Sequence, residues 1–289
     1  MSQRRALPIV VTGATGFVGR HVRSAIAERG LAAALITRRP VVATARENLI
    51  ALGVDTRLDR IQPPRLPDHF SLIHLAWEGL PHYGSERHIN EELPAQIDFV
   101  ASAVRAGARR LVIAGTCFEY GDVAGPVSES FPCCPSTRYG EAKVRLSAEC
   151  LRLASDHQVE LVWLRVFFPY GPGQRADSLY GQLASHHASR HSQPFELRSP
   201  HRTLDFIAID EVAATLVDAA LFGSEEPILN VGSGRPRTVY EQACRIVAEN
   251  QWSVDLRVSQ ADVDQPSDGF WADTRRLQSW RDRLNGGAR

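Results

Sequence analysis

Apolar runs and amphipathic stretches alternate through the first half of the chain. Residues 9–12, 32–37 and 72–76 read as buried strands, with a weaker one near 54–58. Residues 16–29 carry helical spacing and stop at Gly30. From 90 to 106, Leu93, Ile97, Val100 and Val104 fall on one helical face. A fifth strand is expected at 110–114, a helix at 139–154, and a strongly apolar strand at 161–167. Strand and helix in strict alternation predict an α/β fold, a doubly wound parallel sheet with right-handed crossovers.

The pattern changes after Phe168, where loops carry Pro, Gly and Arg and the elements shorten. One helix, 211–221, still reads as scaffold. The expected division is a nucleotide-binding domain at 1–167 plus about 205–222, and a smaller substrate-binding domain at 168–204 and 223–289. The 33 basic side chains balance 33 acidic ones, which gives no push toward nucleic acid or an anionic membrane. An anionic ligand therefore needs a local arginine cluster. Arg4 and Arg5 precede a short apolar run that continues into TGATGFVG, so the run reads as a first strand rather than a secretory leader. No apolar stretch approaches the ~20 residues that span a bilayer. The five cysteines are odd in number and lack metal-ligand spacing, as in a reduced, cytoplasmic protein.

Gly13, Gly16 and Gly19 form G-x-x-G-x-x-G between a strand and a helix. Glycines there allow a tight turn, approach of backbone to a pyrophosphate, and close helix packing, with the anion on free helical N–H groups. The expected dinucleotide contacts are Gly13, Thr15, Gly16, Phe17 and Val18, with Leu75 and Ala76 at the fourth strand's end. The second strand ends in Thr37-Arg38-Arg39 with no carboxylate. Guanidinium groups suit a 2′-phosphate, so Arg38 and Arg39 favour NADPH over NAD.

Tyr139 and Lys143 stand four apart in YGEAK, on one helical face. A nearby ammonium stabilises tyrosinate and is expected to lower the phenol's pKa, making Tyr139 a proton donor or acceptor. Thr116, just past a strand in GTCFEYG, offers a hydroxyl to a substrate oxygen. With LIHLAW, Asn90, LRVFFPYGPGQ, LDFIAIDEVA and NVGSG in that order over about residues 7–275, the chain resembles the extended short-chain dehydrogenase/reductases. HLAWEGLPHY and GTCFEYG look most like their branch acting on nucleotide-linked 4-keto-6-deoxysugars. The resemblance implies Thr116, Tyr139 and Lys143 as the catalytic set, and a homodimer through the helices at 90–106 and 139–154.

Departures from the family pattern narrow the reaction. The 4,6-dehydratases carry Asp and Glu after the catalytic Thr, where this chain has Cys117 and Phe118; both are expected at the substrate pocket, Cys117 as a wall residue or else a small core residue rather than an acid. The 3,5-epimerase/reductases use a Cys and a His where Phe118 and Leu179 stand. Many relatives hold the nucleotide pyrophosphate with an Arg at the position of Leu204; Arg202, Arg175 or Arg198 is the expected substitute. Phe168 replaces an Asn and makes the pocket floor apolar. Trp77, Glu78, His82 and Tyr83 lie at the sheet's carboxyl edge, where substrate contact and loop packing both remain open. Asn90 either shapes its helix near the active site or caps it. His187 and His191 have metal-ligand spacing, but without a carboxylate or Cys nearby no metal is expected. The reading is an NADPH-dependent reductase of a nucleotide-linked keto-sugar, at C4 of a 6-deoxyhexose. The alternatives are an NAD-dependent 4-epimerase or a non-catalytic NADP-sensing protein.

Overall fold

Ile9–Thr12 (β1) is buried along its whole length, the condition under which a strand reads as a continuous apolar run. Ala33–Thr37 (β2) and Phe70–His74 (β4) are buried in the same way. With Glu47–Ala51 (β3), Ala108–Thr116 (β5), Glu160–Val166 (β7) and Ile228–Val231 (β12) they form a seven-stranded sheet, ordered β12-β7-β5-β4-β1-β2-β3. Every neighbouring pair in it is parallel. The computed structural model describes residues 7–38, 42–51, 58–60, 66–190, 193–258 and 269–286. Arg4, Arg5, Arg39, His191 and all but the last residue of the expected 54–58 strand lie outside these. Leu58 itself is buried at the start of a single 3-10 turn, and the third strand lies earlier, at β3.

Helices cover both faces. Phe17–Glu28 (α1), Ile209–Phe222 (α5) and Arg275–Gly286 (α7) pack Val22, Ile26, Leu216 and Trp280 against Val11, Leu35 and Leu164. Leu93–Arg105 (α2) and Arg138–His157 (α3) pack Phe99, Val100, Leu146 and Cys150 against Val10, Leu72 and Trp163. Adjacent Val10 and Val11 thus serve opposite faces, as the two-residue period of a strand requires. A wider π turn, His88–Glu92, precedes α2. Pro94, in the first turn of α2, has no N–H to close a normal turn behind it. Leu146, Cys150 and Leu153 all enter the sheet face, leaving Leu151 as the exposed leucine of α3.

The smaller lobe draws on both halves of the chain. Gly125–Val127 (β6) pairs in parallel with Phe270–Ala272 (β15). That strand adjoins Thr203–Leu204 (β10), which pairs antiparallel with Arg237–Thr238 (β13). Phe168–Tyr170 (β8) pairs with Phe206–Ala208 (β11), and Phe195–Leu197 (β9) with Leu256–Val258 (β14). Leu179–Ala188 (α4) and Val239–Glu249 (α6) share a satellite core. The main sheet thus takes β12 from the segment after 223, and the small sheet takes β6 from before 167. Among the described residues no helix is long and apolar enough to cross a membrane.

Candidate active site

The glycine loop is shaped by contact. Gly13 has φ +69°, and a Cβ there would lie 2.7 Å from the Ala76 nitrogen. A Cβ on Gly19 would lie 2.1 Å from the Gly13 oxygen. The N-terminus of α1 carries no side-chain cap and no acidic residue in its first turn, so its N–H groups and dipole stay available to an anion. Above the loop lies a cavity of about 600 Å³, lined by Thr12 to Gly16, Thr37, Arg38, His74 to Glu78, Glu92 and Gln96 among others. Its glycine cradle and uncapped helix fit a dinucleotide. Phe17 and Val18 turn their side chains into the core; what they offer a ligand is backbone.

One wall of that cavity is a chain of buried hydrogen bonds. Gln96 accepts from His74 Nε2 at 2.7 Å, and Thr12 donates to His74 Nδ1 at 2.7 Å. That assignment follows from the partners, since Leu75 N–H donates to the Thr12 hydroxyl in turn. Burial, with the Lys143 charge adding, lowers the His74 pKa to about 3, so its ring is neutral. Glu92 accepts from the Gln96 amide and from Glu78 N–H. Arg38 reaches over the loop to the Glu78 carboxylate, which also holds Arg87.

Thr116 ends β5, and Tyr139 and Lys143 lie on the first turns of α3, whose cap is Thr137 accepting from Gly140 N–H at 3.1 Å. All three are buried. Lys143 Nζ donates to the Ala114 oxygen at 2.9 Å and sits 4.1 Å over the Trp77 ring. Burial lowers its pKa to about 8, against the opposing pull of Glu119. Tyr139 packs its ring among Trp77, Tyr83 and His88. Its pKa is raised, not lowered as the spacing with Lys143 suggested. Burial dominates, Tyr83, Glu119 and Cys117 add to it, and the Thr116 hydroxyl opposes. The phenol is therefore a proton donor at neutral pH.

An aromatic wall faces Tyr139. The Tyr83 ring lies 5.6 Å from it and 4.9 Å from Phe118; Phe118 meets Phe168 at 6.1 Å, and Phe168 meets Phe270 at 6.0 Å. Cys117, expected to line the substrate pocket, is 1% exposed and packs behind this wall, its pKa pushed up by burial. Trp77 Nε1 donates to His88 Nδ1 at 3.1 Å, which fixes the indole edge-on to Tyr139. Arg175 is taken up by Asp177 and the Leu80 oxygen. Arg202 is exposed at the start of β10, where its oxygen accepts from Val239 N–H. The register sets Leu204 opposite Arg237 and beside Phe270. Residues paired across strands share a face, so Leu204, Arg237 and Phe270 point the same way, and Phe270 touches the wall at Phe168.

The profile of the NAD dependent epimerase/dehydratase family matches residues 9–232. The chain belongs to that family. Among its curated relatives, dTDP-6-deoxy-L-talose 4-dehydrogenase (NAD(+)) of Aggregatibacter actinomycetemcomitans is 24% identical over 85% of this chain and 92% of its own. The (NAD(P)(+)) enzyme of Kitasatospora kifunensis is 26% identical, over 80% and 75%. The dTDP-4-dehydro-6-deoxyglucose reductase of Escherichia coli is 22% identical, over 80% and 78%. Among solved structures, MoeE5 in complex with UDP-glucuronic acid and NAD superposes with TM-score 0.75 at 25% identity, over 94% of this chain and 92% of that one.

As a member of the epimerase/dehydratase family, the chain is an NAD(P)-dependent enzyme on a Rossmann-type fold. Several residues around its site carry no sequence signal. Glu119, fully buried, accepts from Thr116 N–H at 2.8 Å, Trp163 Nε1 at 3.0 Å and Arg165 Nε at 2.7 Å, and so fixes the end of β5. Its spacing from Thr116 is that of a capping box, the one cue the sequence offered. His88 meets Tyr139 through loop packing and Arg237 meets Leu204 through strand register, which no local period encodes, while Tyr83, singled out by its place after the fourth strand, packs on Tyr139. Asn90 starts no helix; it lies inside the π turn. His187 accepts from Ser253 N–H and stacks on Trp252. Among the described residues no three His, Cys, Asp or Glu group as for a metal.

Proposed function

We propose that the chain is a reductase of a nucleotide-linked keto-sugar, acting at C4 of a 4-keto-6-deoxyhexose. The observation that carries this reading is the burial of Thr116, Tyr139 and Lys143 together, Tyr139 kept protonated by that burial and Lys143 on the same helix face. The relatives named for C4 chemistry on dTDP-linked 6-deoxysugars support the substrate class. A bound nicotinamide dinucleotide supplies the hydride, with Gly13, Thr15, Gly16, Leu75 and Ala76 holding it. Thr116 and Tyr139 hold the sugar carbonyl oxygen, and the Tyr139 proton passes to that oxygen as it becomes a hydroxyl. The Lys143 ammonium stabilises the phenolate left behind. Cys117 and Phe118 offer no acid–base pair for eliminating water. Phe118 and Phe168 suit a methyl-bearing sugar ring, while Arg202 and Arg237 suit a diphosphate. Arg38 supports the binding of NADPH beside NADH.

The test incubates the protein with dTDP-, GDP-, CDP- and UDP-linked 4-keto-6-deoxyhexoses and NADPH or NADH. One of them is expected to oxidise the dinucleotide stoichiometrically and yield the 6-deoxyhexose. Tyr139→Phe is expected to lower kcat by a factor of about 100–10,000 with dinucleotide binding retained. Interconversion of C4 epimers without net oxidation would make the protein a 4-epimerase instead. Deuterium from solvent at C3 or C5, lost in Cys117→Ala, would overturn simple reduction.

A further inference from the structure

Arg38 follows β2 and Glu78 lies on the loop after β4, and in the sheet β1 runs between those two strands. Their ion pair therefore crosses above the carboxyl end of β1, where Gly13 to Gly16 begin the cradle. Both residues line the same cavity as those glycines. A dinucleotide bound in that cavity would meet both side chains of the pair. Dinucleotide-binding sheets commonly place a carboxylate at the end of the second strand, where it accepts from the ribose hydroxyls. This chain has none there; its carboxylate comes from the neighbouring loop and meets a guanidinium that suits a phosphate.

We propose that Glu78 sets the cofactor preference by competing for Arg38 with the 2′-phosphate of a phosphorylated dinucleotide. The proposal rests on the glycine loop and its cavity being the dinucleotide site. With the pair closed, Arg38 is neutralised, and the Glu78 carboxylate, though bonded to Arg38 and Arg87, keeps lone pairs that can accept from a ribose diol, so the unphosphorylated dinucleotide is bound. With the pair open, Arg38 takes the phosphate. The side chains are 57% and 38% exposed, and an ion pair so exposed opens at small cost. A phosphate offers Arg38 a bidentate, charge-assisted alternative. Arg87 stays paired when Glu78 leaves, because Glu91 holds it at 2.9 Å. Loss of the Glu78 charge thus frees Arg38 alone. Both cofactors are expected to bind the native protein, with Glu78 holding the balance toward NADH.

The experiment measures dissociation constants for NADH and NADPH by their fluorescence, without sugar substrate, in native protein, Glu78→Gln, Arg38→Ser and the double variant. Glu78→Gln is expected to shift the ratio toward NADPH by about two- to tenfold. In the Arg38→Ser background the same substitution is expected to shift it less than about twofold, the coupling a double-mutant cycle isolates. NADH binding by each variant shows that it is folded. An unchanged ratio in Glu78→Gln, or an equal shift with Arg38 absent, overturns the proposal and leaves the dinucleotide site standing. If native protein binds neither dinucleotide, the site reading falls and the proposal with it.

Discussion

Burial sets the proton chemistry around Tyr139. Lys143 has a pKa of about 8 against an ordinary 10.5. Its ammonium is thus present below about pH 8 and lost as the pH rises through that value. Reduction is expected to hold level toward neutrality and to fall with an alkaline limb near pH 8, read from kcat/KM profiles. Lys143→Met should abolish that limb and lower the rate at every pH. Glu119→Gln should move it to lower pH, because the Glu119 charge supports the ammonium more than any other neighbour. The Tyr139/Lys143 pair was legible because four-residue spacing on a helix is local. The sign of the Tyr139 shift was not, because the aromatic surroundings come from distant stretches, at Trp77, Tyr83, His88 and Phe118. Arg237 was invisible for the same reason: only the pairing of β13 with β10 brings it to the face of Leu204.

Helices and strands were readable in proportion to their length and burial. The doubly buried strands and the long helices stood out, whereas β6, β10, β13 and β15 have two or three residues each and show no period. The edge strand β3 illustrates a tie that pattern does not reveal. Arg23 on α1 donates to both Glu47 oxygens at 2.7 and 2.8 Å, and Thr44 N–H donates to the same carboxylate. The Arg23 bond, the largest influence on it, lowers the Glu47 pKa from 4.5 to about 2. A carboxylate depressed on folding contributes stability that is fully present above its unfolded pKa and vanishes as pH falls through the folded one. Glu47→Gln is therefore expected to lose about 1–3 kcal/mol at neutral pH. The difference from native protein should shrink between about pH 4.5 and 2, as followed by denaturant melts. An equal loss at both extremes would assign Glu47 a packing role instead.

At the scale of the whole molecule, the expected assembly is a homodimer through α2 and α3. Within one chain these helices already bury Leu146, Cys150 and Leu153 against the sheet, so the outward apolar contribution of α3 centres on Leu151, 37% exposed. Light scattering at micromolar concentration should give twice the 31.9 kDa chain mass, and Leu151→Glu should shift it toward the monomer. A monomer mass for native protein would leave both helices facing water. The interleaving of the two lobes also has a consequence in time. β6 finds its sheet neighbour at β15, and the buried carboxylate of Glu129 receives Asn230 N–H and the nearby Arg276 charge only from the C-terminal part. Translation at ~5–20 residues per second separates β6 from β15 by on the order of ten seconds. Throughout that interval the nascent polypeptide carries an unmatched strand just beyond Thr116. Clipping the last strand and helix would then disarm the enzyme from behind, without removing Thr116, Tyr139 or Lys143.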